Sequence, residues 1–172
     1  MEVLSYAASL VATILGLCEP FWKKMRTILI FNFLGNLLVG ISYCLIGSKS
    51  GALICFVACT QVFINYFFDA RGKKIPRAVI ALHAVVFFAV NVVTFSVWYD
   101  VLALLAAMLY VLSIAQGDSK YYRMFYVSNS AVWIAYDLLA GAYGNLITHV
   151  VLFVATGLAI MIRDGTRRSL KC

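Results

Sequence analysis

The chain has 172 residues, 64% of them hydrophobic and only 12% charged, with a net charge of +7 and a mean hydropathy of +0.95. A soluble domain of this length cannot hide so much apolar surface, so a water-soluble fold is excluded. The basic balance, 14 Lys and Arg against 7 Asp and Glu, would suit nucleic acid, but the charges sit in short gaps between apolar runs; membrane topology and anionic headgroups account for them, and no nucleic-acid partner is expected.

Seven apolar runs follow one another: 3–18, 27–46, 51–68, 77–95, 98–116, 121–140 and 145–162. Each approaches the ~20 residues a helix needs to cross a hydrocarbon core of roughly 30 Å. The runs are continuous rather than alternating, which speaks against strands. The first run has Glu2 before it and no basic leader, and it feeds straight into a second run, so no cleaved signal peptide is expected. Pro20 ends it, and Trp22 belongs to an interfacial belt, as does Trp98 before the fifth run. On the second run Asn32, Asn36 and Tyr43 fall on one stripe at a 3.6 period. The third carries Gln61 and Asn65 four residues apart, and also Cys55 and Cys59. Those two, with Cys18, Cys44 and Cys172, form no paired framework and read as small packing residues. His83 and Asn91 on the fourth run read as structural or lipid-interface residues. The sixth run carries a second stripe, Asn129, Trp133 and Tyr136, and the seventh carries His149 and Thr156.

The charges sort the loops. If every run crosses, Lys23, Lys24, Arg26, Arg71, Lys73, Lys74, Arg77, Lys120, Arg123, Arg163, Arg167, Arg168 and Lys171 share one face, and only Lys49 lies on the other. Short Lys- and Arg-rich loops stay in the cytoplasm. The expected fold is therefore an all-α integral membrane protein with seven transmembrane helices, N-terminus out and C-terminus in. The basic tail Arg163 to Lys171 meets anionic lipid on the cytoplasmic face or a cytoplasmic partner.

The chain also repeats itself. A shift of 97 residues places Lys23 on Lys120, Arg26 on Arg123 and Asn32 on Asn129. With a four-residue deletion in the later helix, Tyr43 falls on Tyr136, Gly51 on Gly144 and Leu53-Ile54 on Leu146-Ile147. Helices one to three thus match five to seven, and the fourth is a linker. An odd number of helices between the triplets gives both the same orientation, a parallel 3+1+3 repeat. The expected division is 1–70 for the first repeat, 71–96 for the linker helix, 97–162 for the second repeat and 163–172 for the tail, all one membrane domain.

This layout, with segments such as Leu34-Gly35-Asn36-Leu37-Leu38-Val39-Gly40 and Tyr126 to Leu139, resembles the bacterial inner-membrane YgjV family over most of the chain. More loosely it resembles the SWEET/PQ-loop superfamily, which includes sugar and vitamin transporters. The wider likeness is topological. The Pro-Gln dipeptide is absent, since Pro20 is followed by Phe21, and the mid-helix prolines of that superfamily are missing, since Pro76 lies in a loop. Any hinge falls instead to Gly35, Gly40 or Gly157.

Polar side chains in lipid are expensive and mark either a site or an interhelical contact. Asn32, Asn36, Tyr43, Gln61, Asn65, Asn129, Trp133, Tyr136 and Thr156 are the candidate lining of a central substrate cavity between the repeats. The alternative for Asn36, and for Ser42, Ser113 and Thr148, is hydrogen bonding between helices. Trp133 lies about 12 residues into its helix, deeper than an interfacial belt, and either packs or stacks a planar or sugar-like solute. Asp137 sits about one turn from the outer end of helix six and His149 about one turn inside helix seven. At similar depth they are the candidate gate and proton-coupling pair; the alternative is that Asp137 reaches headgroup water.

No phosphate loop, metal spacing or nucleophile elbow is present, so neither an enzyme nor a cofactor is expected. The expected function is a small polar-solute transporter or facilitator of the plasma (inner) membrane. Its substrate would be neutral or weakly charged, such as a sugar, nucleoside or vitamin. The alternative is a non-transporting receptor or assembly protein. Oligomeric state is left open, although two repeats in one chain complete a site without a second copy.

Overall fold

Glycine closes several of the apolar runs. Gly47, Gly72 and Gly141 have φ of 80°, 63° and 67°. Gly141 is the residue where this freedom matters most, because it ends a helix in the left-handed region that a Cβ disfavours, and Ala142 N–H then reaches back to Asp137 O at 2.9 Å. Pro76 precedes the fourth helix, where the chain must be extended and no N–H is needed. Asp118 starts the sixth by accepting from Lys120 N–H at 2.8 Å.

A computed structural model describes residues 2–164. Among them the elements are α1 (Glu2–Cys18), a single 3-10 turn (Glu19–Phe21), α2 (Met25–Leu45), α3 (Lys49–Ala70), α4 (Arg77–Thr94), α5 (Asp100–Ile114), α6 (Ser119–Ala140), α7 (Tyr143–Ala159) and a closing π-turn (Ile160–Asp164). No strand occurs among the described residues. Arg167, Arg168 and Lys171 of the expected basic tail lie outside them.

Each expected run coincides with one helix, with shifted ends. The fifth run contracts from 98–116 to α5, the shortest of these helices at 15 residues, about 22 Å at 1.5 Å per residue. Asp100 causes the late start. Its Oδ2 accepts Ser96 N–H at 2.9 Å and Val97 N–H at 3.1 Å, folding the residues ahead of the helix around the carboxylate. Among the described residues, five helical segments are long and apolar enough to cross a membrane: Val3–Phe21, Met25–Leu45, Lys49–Ala70, Arg77–Thr94 and Tyr143–Arg163. α5 is short, and α6 is long enough but carries Arg123, Asn129, Ser130 and Asp137.

The helices pack in sequence order α1–α2–α3 and α5–α6–α7, with further contacts between α3 and α5 and between α1 and α7. α4 packs against α3 and α5. Hydrophobicity is distributed as lipid demands. Val93 on α4 is 83% exposed while Asp137 on α6 is 0% exposed, and the outward faces carry Leu10, Ile14, Val85, Phe88, Phe153 and Val154. The interior holds tyrosines and amides as well as aliphatic residues, with Tyr43, Tyr122 and Tyr136 among the largest fully buried side chains.

α2 and α3 approach closely where Gly51 meets Tyr43. A Cβ at Gly51 would lie 3.0 Å from the Tyr43 ring, which is wholly buried and held at its hydroxyl by Asp137. At Gly35 a Cβ would meet nothing within 4 Å. Gly51→Ala is expected to lower stability by about 1–3 kcal/mol through overpacking, while Gly35→Ala is neutral or stabilising. Thermal unfolding of the two variants in detergent checks the contrast, and equal melting temperatures would refute it.

Candidate functional site

An open vestibule of about 1040 Å³ occupies one end of the bundle. The start of α1, the turn between α2 and α3, the residues before α5, and the turn between α6 and α7 surround it. Lys49 lies on this end, opposite the loops that carry the other described basic residues.

Beneath it α2, α6 and α7 meet on one carboxylate. Tyr43 OH donates to Asp137 Oδ1 at 2.5 Å, and His149 Nδ1 lies 2.6 Å from Asp137 Oδ2. Trp133, one turn earlier on α6, stacks on the His149 ring with centroids 5.5 Å apart and planes 8° from parallel. Tyr43 lies 5.8 Å from the same indole. Tyr136 OH bonds Ser48 Oγ at 3.0 Å and faces the vestibule. Asp137 has no exposed surface; Tyr43 and His149, side chains from neighbouring helices, take the place of headgroup water.

Deeper, a cavity of about 40 Å³ is lined by Asn32, Asn36, Tyr110, Asn129, Trp133 and His149, among others. It has room for about one or two waters. Asn36 Nδ2 donates to Asn32 Oδ1 at 2.8 Å and to Tyr110 OH at 3.1 Å, and Tyr110 OH donates to Asn32 Oδ1. Asn32 Nδ2 donates to Glu19 Oε1 at 2.9 Å, and Tyr122 OH donates to the same oxygen. Asn129 Nδ2 donates to Ala106 O at 2.7 Å, tying α6 to α5. The end away from the vestibule is packed shut: Glu19 is 2% exposed and Arg123, which donates to Pro20 O at 3.4 Å, is 3% exposed.

The structure thus brings together Tyr43, Trp133, Tyr136, Asp137 and His149 in one cluster, and Asn32 with Asn36 in a second; Asn129 lines the cavity between them. Gln61, Asn65 and Thr156 line neither the vestibule nor this cavity. Asn65 Nδ2 donates to Ile114 O at 3.3 Å and joins α3 to α5, while Gln61 and Thr156 are buried. His83 bonds its own helix at Val79 O, and Asn91 donates to Asp100 O. Sequence reasoning missed Glu19, Tyr110 and Tyr122. It also missed a ladder on α1, where Ser5 and Ser9 bond Ser42, Ser9 bonds Asn145, and Thr13 bonds Thr148. The four-residue spacing of Ser5, Ser9 and Thr13 was the available signal for that ladder. Among the described residues no three His, Cys, Asp or Glu side chains gather as metal ligands.

The Imp-YgjV family model, described as bacterial inner membrane protein, matches residues 3–166. No curated protein matches, and no solved structure matches.

Asp137→Ala would leave Tyr43 OH and His149 Nδ1 without a partner in a dry interior. It is expected to lower stability by about 3 kcal/mol or more, and Asp137→Asn, which keeps an acceptor for Tyr43, by less. Thermal unfolding in detergent ranks the three proteins; unchanged stability in Asp137→Ala would contradict the cluster.

Proposed function

Because the chain belongs to the Imp-YgjV family of bacterial inner membrane proteins, and is itself an integral protein of that membrane, we propose that it carries a small polar solute across the bilayer. The observation that carries this reading is the vestibule of about 1040 Å³ set over a column of buried polar side chains that extends from Tyr136 through Asp137 and Asn32 to Glu19. Ionisable side chains inside a membrane bundle, such as Asp137, His149 and Glu19, mark substrate and proton paths.

The architecture in this reading is two three-helix repeats joined by α4. The contact pattern supports it. Exchanging α1, α2 and α3 with α5, α6 and α7 converts the α1–α7 contact into the α5–α3 contact, and α2 and α6 each sit in the middle of their triplet. This is the arrangement that the likeness to the SWEET/PQ-loop superfamily implies. α5 and α6 also cross, because α6 turns its polar face inward, where Asn129, Trp133 and Asp137 are all buried. With the basic loops in the cytoplasm, the vestibule opens to the outside, the N-terminus lies out, and the C-terminus lies in.

Solute enters the vestibule and reaches the midplane when one triplet rocks against the other, parting the contacts that now hold the inner cavity to about 40 Å³. Aromatic and amide side chains suit a neutral or weakly charged solute such as a sugar, nucleoside or vitamin. The Asp137–His149 pair, whose imidazole lines the inner cavity, couples a proton to the movement. One observation favours a second reading, a non-transporting receptor or assembly protein: the inner cavity is too small for such a solute as it stands.

Purified protein in proteoliposomes is expected to take up a solute that raises its melting temperature, drawn from sugars, nucleosides and water-soluble vitamins. An acid-outside gradient is expected to accelerate uptake by the wild type and not by Asp137→Asn. Binding without flux would favour the receptor, and an unaltered pH response in Asp137→Asn would remove the coupling role.

A further inference from the structure

Helix α4 is held to the bundle along one narrow stripe. Of its 18 residues only His83, Phe87 and Asn91 are buried, and they recur every four residues on one face. Asn91 Nδ2 donates to Asp100 O at 2.9 Å, and the Phe87 ring meets the Tyr110 ring edge-on with centroids 6.5 Å apart. Closer to the basic loops, α4 and α5 enclose a groove of about 330 Å³ instead. The first turns of α4 line it with Ile80, Ala81 and Ala84, and the last turns of α5 with Met108, Val111 and Leu112.

The remaining lining residue is Arg77. It is exposed, and among the described residues no ion pair or side-chain hydrogen bond holds its guanidinium. Acids in the neighbouring segments are committed elsewhere: Asp69 faces Arg26 at 3.4 Å, and Asp118 caps α6. Arg77 is also the first residue of the membrane-spanning segment Arg77–Thr94, so it stands where lipid phosphates lie. The start of α4 has no side-chain cap, which leaves its first N–H groups favourable to an anion. Arg71, Lys73 and Lys74, just ahead in the chain, are exposed and draw anionic lipid to this place.

The groove is apolar along its length and cationic at one end, so it fits a molecule built the same way. We propose that it binds an anionic phospholipid of the leaflet beside the basic loops, which is the cytoplasmic one by the charge rule. The phosphate sits on Arg77, whose planar fork suits its oxygens, and an acyl chain lies between α4 and α5. The lipid thereby fastens the linker helix where the protein supplies little packing of its own. A second copy of the chain fits less well. A two-fold axis along the membrane normal through this groove would set Arg77 against its own counterpart at one depth, like charge on like charge. The site requires no transport and lies apart from the vestibule and the inner cavity.

The test uses the full chain purified in a non-ionic detergent and a thermal-shift titration. The probes are phosphatidylglycerol, phosphatidylcholine with the same acyl chains, and glycerol phosphate. Phosphatidylglycerol is expected to raise the melting temperature saturably, phosphatidylcholine to do so less, and glycerol phosphate, which has no chain, not at all. Arg77→Ala is expected to weaken phosphatidylglycerol binding by about ten-fold or more, the range of one charge-assisted hydrogen bond. Because Arg77 is exposed and holds nothing within the protein, this variant keeps the fold. Removing Lys73 and Lys74 together, as Lys73→Ala with Lys74→Ala, is expected to weaken binding less. Ala81→Phe, at an exposed position of the groove, leaves the cation in place but obstructs the chain, and it too is expected to weaken binding. The proposal is overturned if the two lipids act alike, or if glycerol phosphate alone reproduces the shift. It is also overturned if the lysine pair matters as much as Arg77, or if Ala81→Phe binds as the wild type does. A dimer in lipid-free detergent that Ala81→Phe converts to a monomer would give the groove to a second copy and overturn it likewise.

Discussion

Asp137 is a carboxylate with no exposed surface in a protein whose solvent is lipid. Such a group is tolerable only if the protein supplies in full the partners that water would have supplied. α2 provides Tyr43 and α7 provides His149, one for each oxygen. The carboxylate therefore sets where both helices stand against α6. The Tyr43 ring in turn sets how near α3 may come, since Gly51 lies against it. Trp133 and Tyr136 complete an aromatic shell around the same group. At the other end Glu19 does the same for the turn after α1, gathering Asn32 of α2 and Tyr122 of α6.

The two carboxylates divide the interior into an open half and a closed half. Above Asp137 the helix ends separate into a vestibule; around Glu19 and Arg123 they pack shut. The hydroxyl ladder of α1 with Ser42, Asn145 and Thr148 holds α1 against α2 and α7 without large side chains. Bonds of this kind contribute little singly, roughly 0.6 kcal/mol each in membranes. A network of weak bonds is the sort that can be exchanged for another set at small net cost, which is what a rocking transporter requires.

Much of this was legible in the sequence. Hydropathy located every helix, because continuous apolar runs have few other structures open to them in lipid. Counting turns from helix ends placed Asp137 and His149 at one depth, and they share a hydrogen bond. The Asn32–Asn36 stripe forms one hydrogen-bonded unit. What periodicity does not carry is which neighbour a stripe faces. Gln61 and Asn65 share a face as expected, but Asn65 meets the α5 backbone and neither lines the inner cavity. Glu19 was overlooked because it sits between an apolar run and Pro20, where an acid ordinarily meets headgroups. A single 3-10 turn instead draws it inward, toward tyrosines that drew no notice because they scored as part of apolar runs.

In the proposed transport function the polar interior is a passage closed at present on one side. The most direct measurement is the accessibility of Asn36→Cys, in a background whose native cysteines are replaced, to a membrane-impermeant maleimide applied from each face of oriented vesicles. Asn36 lies in the inner cavity, beneath the vestibule and above Glu19. A passage that alternates predicts labelling from the cytoplasmic face as well as the outer one, with a transported solute altering the ratio. A position that stays unreactive from the cytoplasmic face under all conditions, while Lys49→Cys at the exposed rim of the vestibule reacts freely from outside, would contradict it.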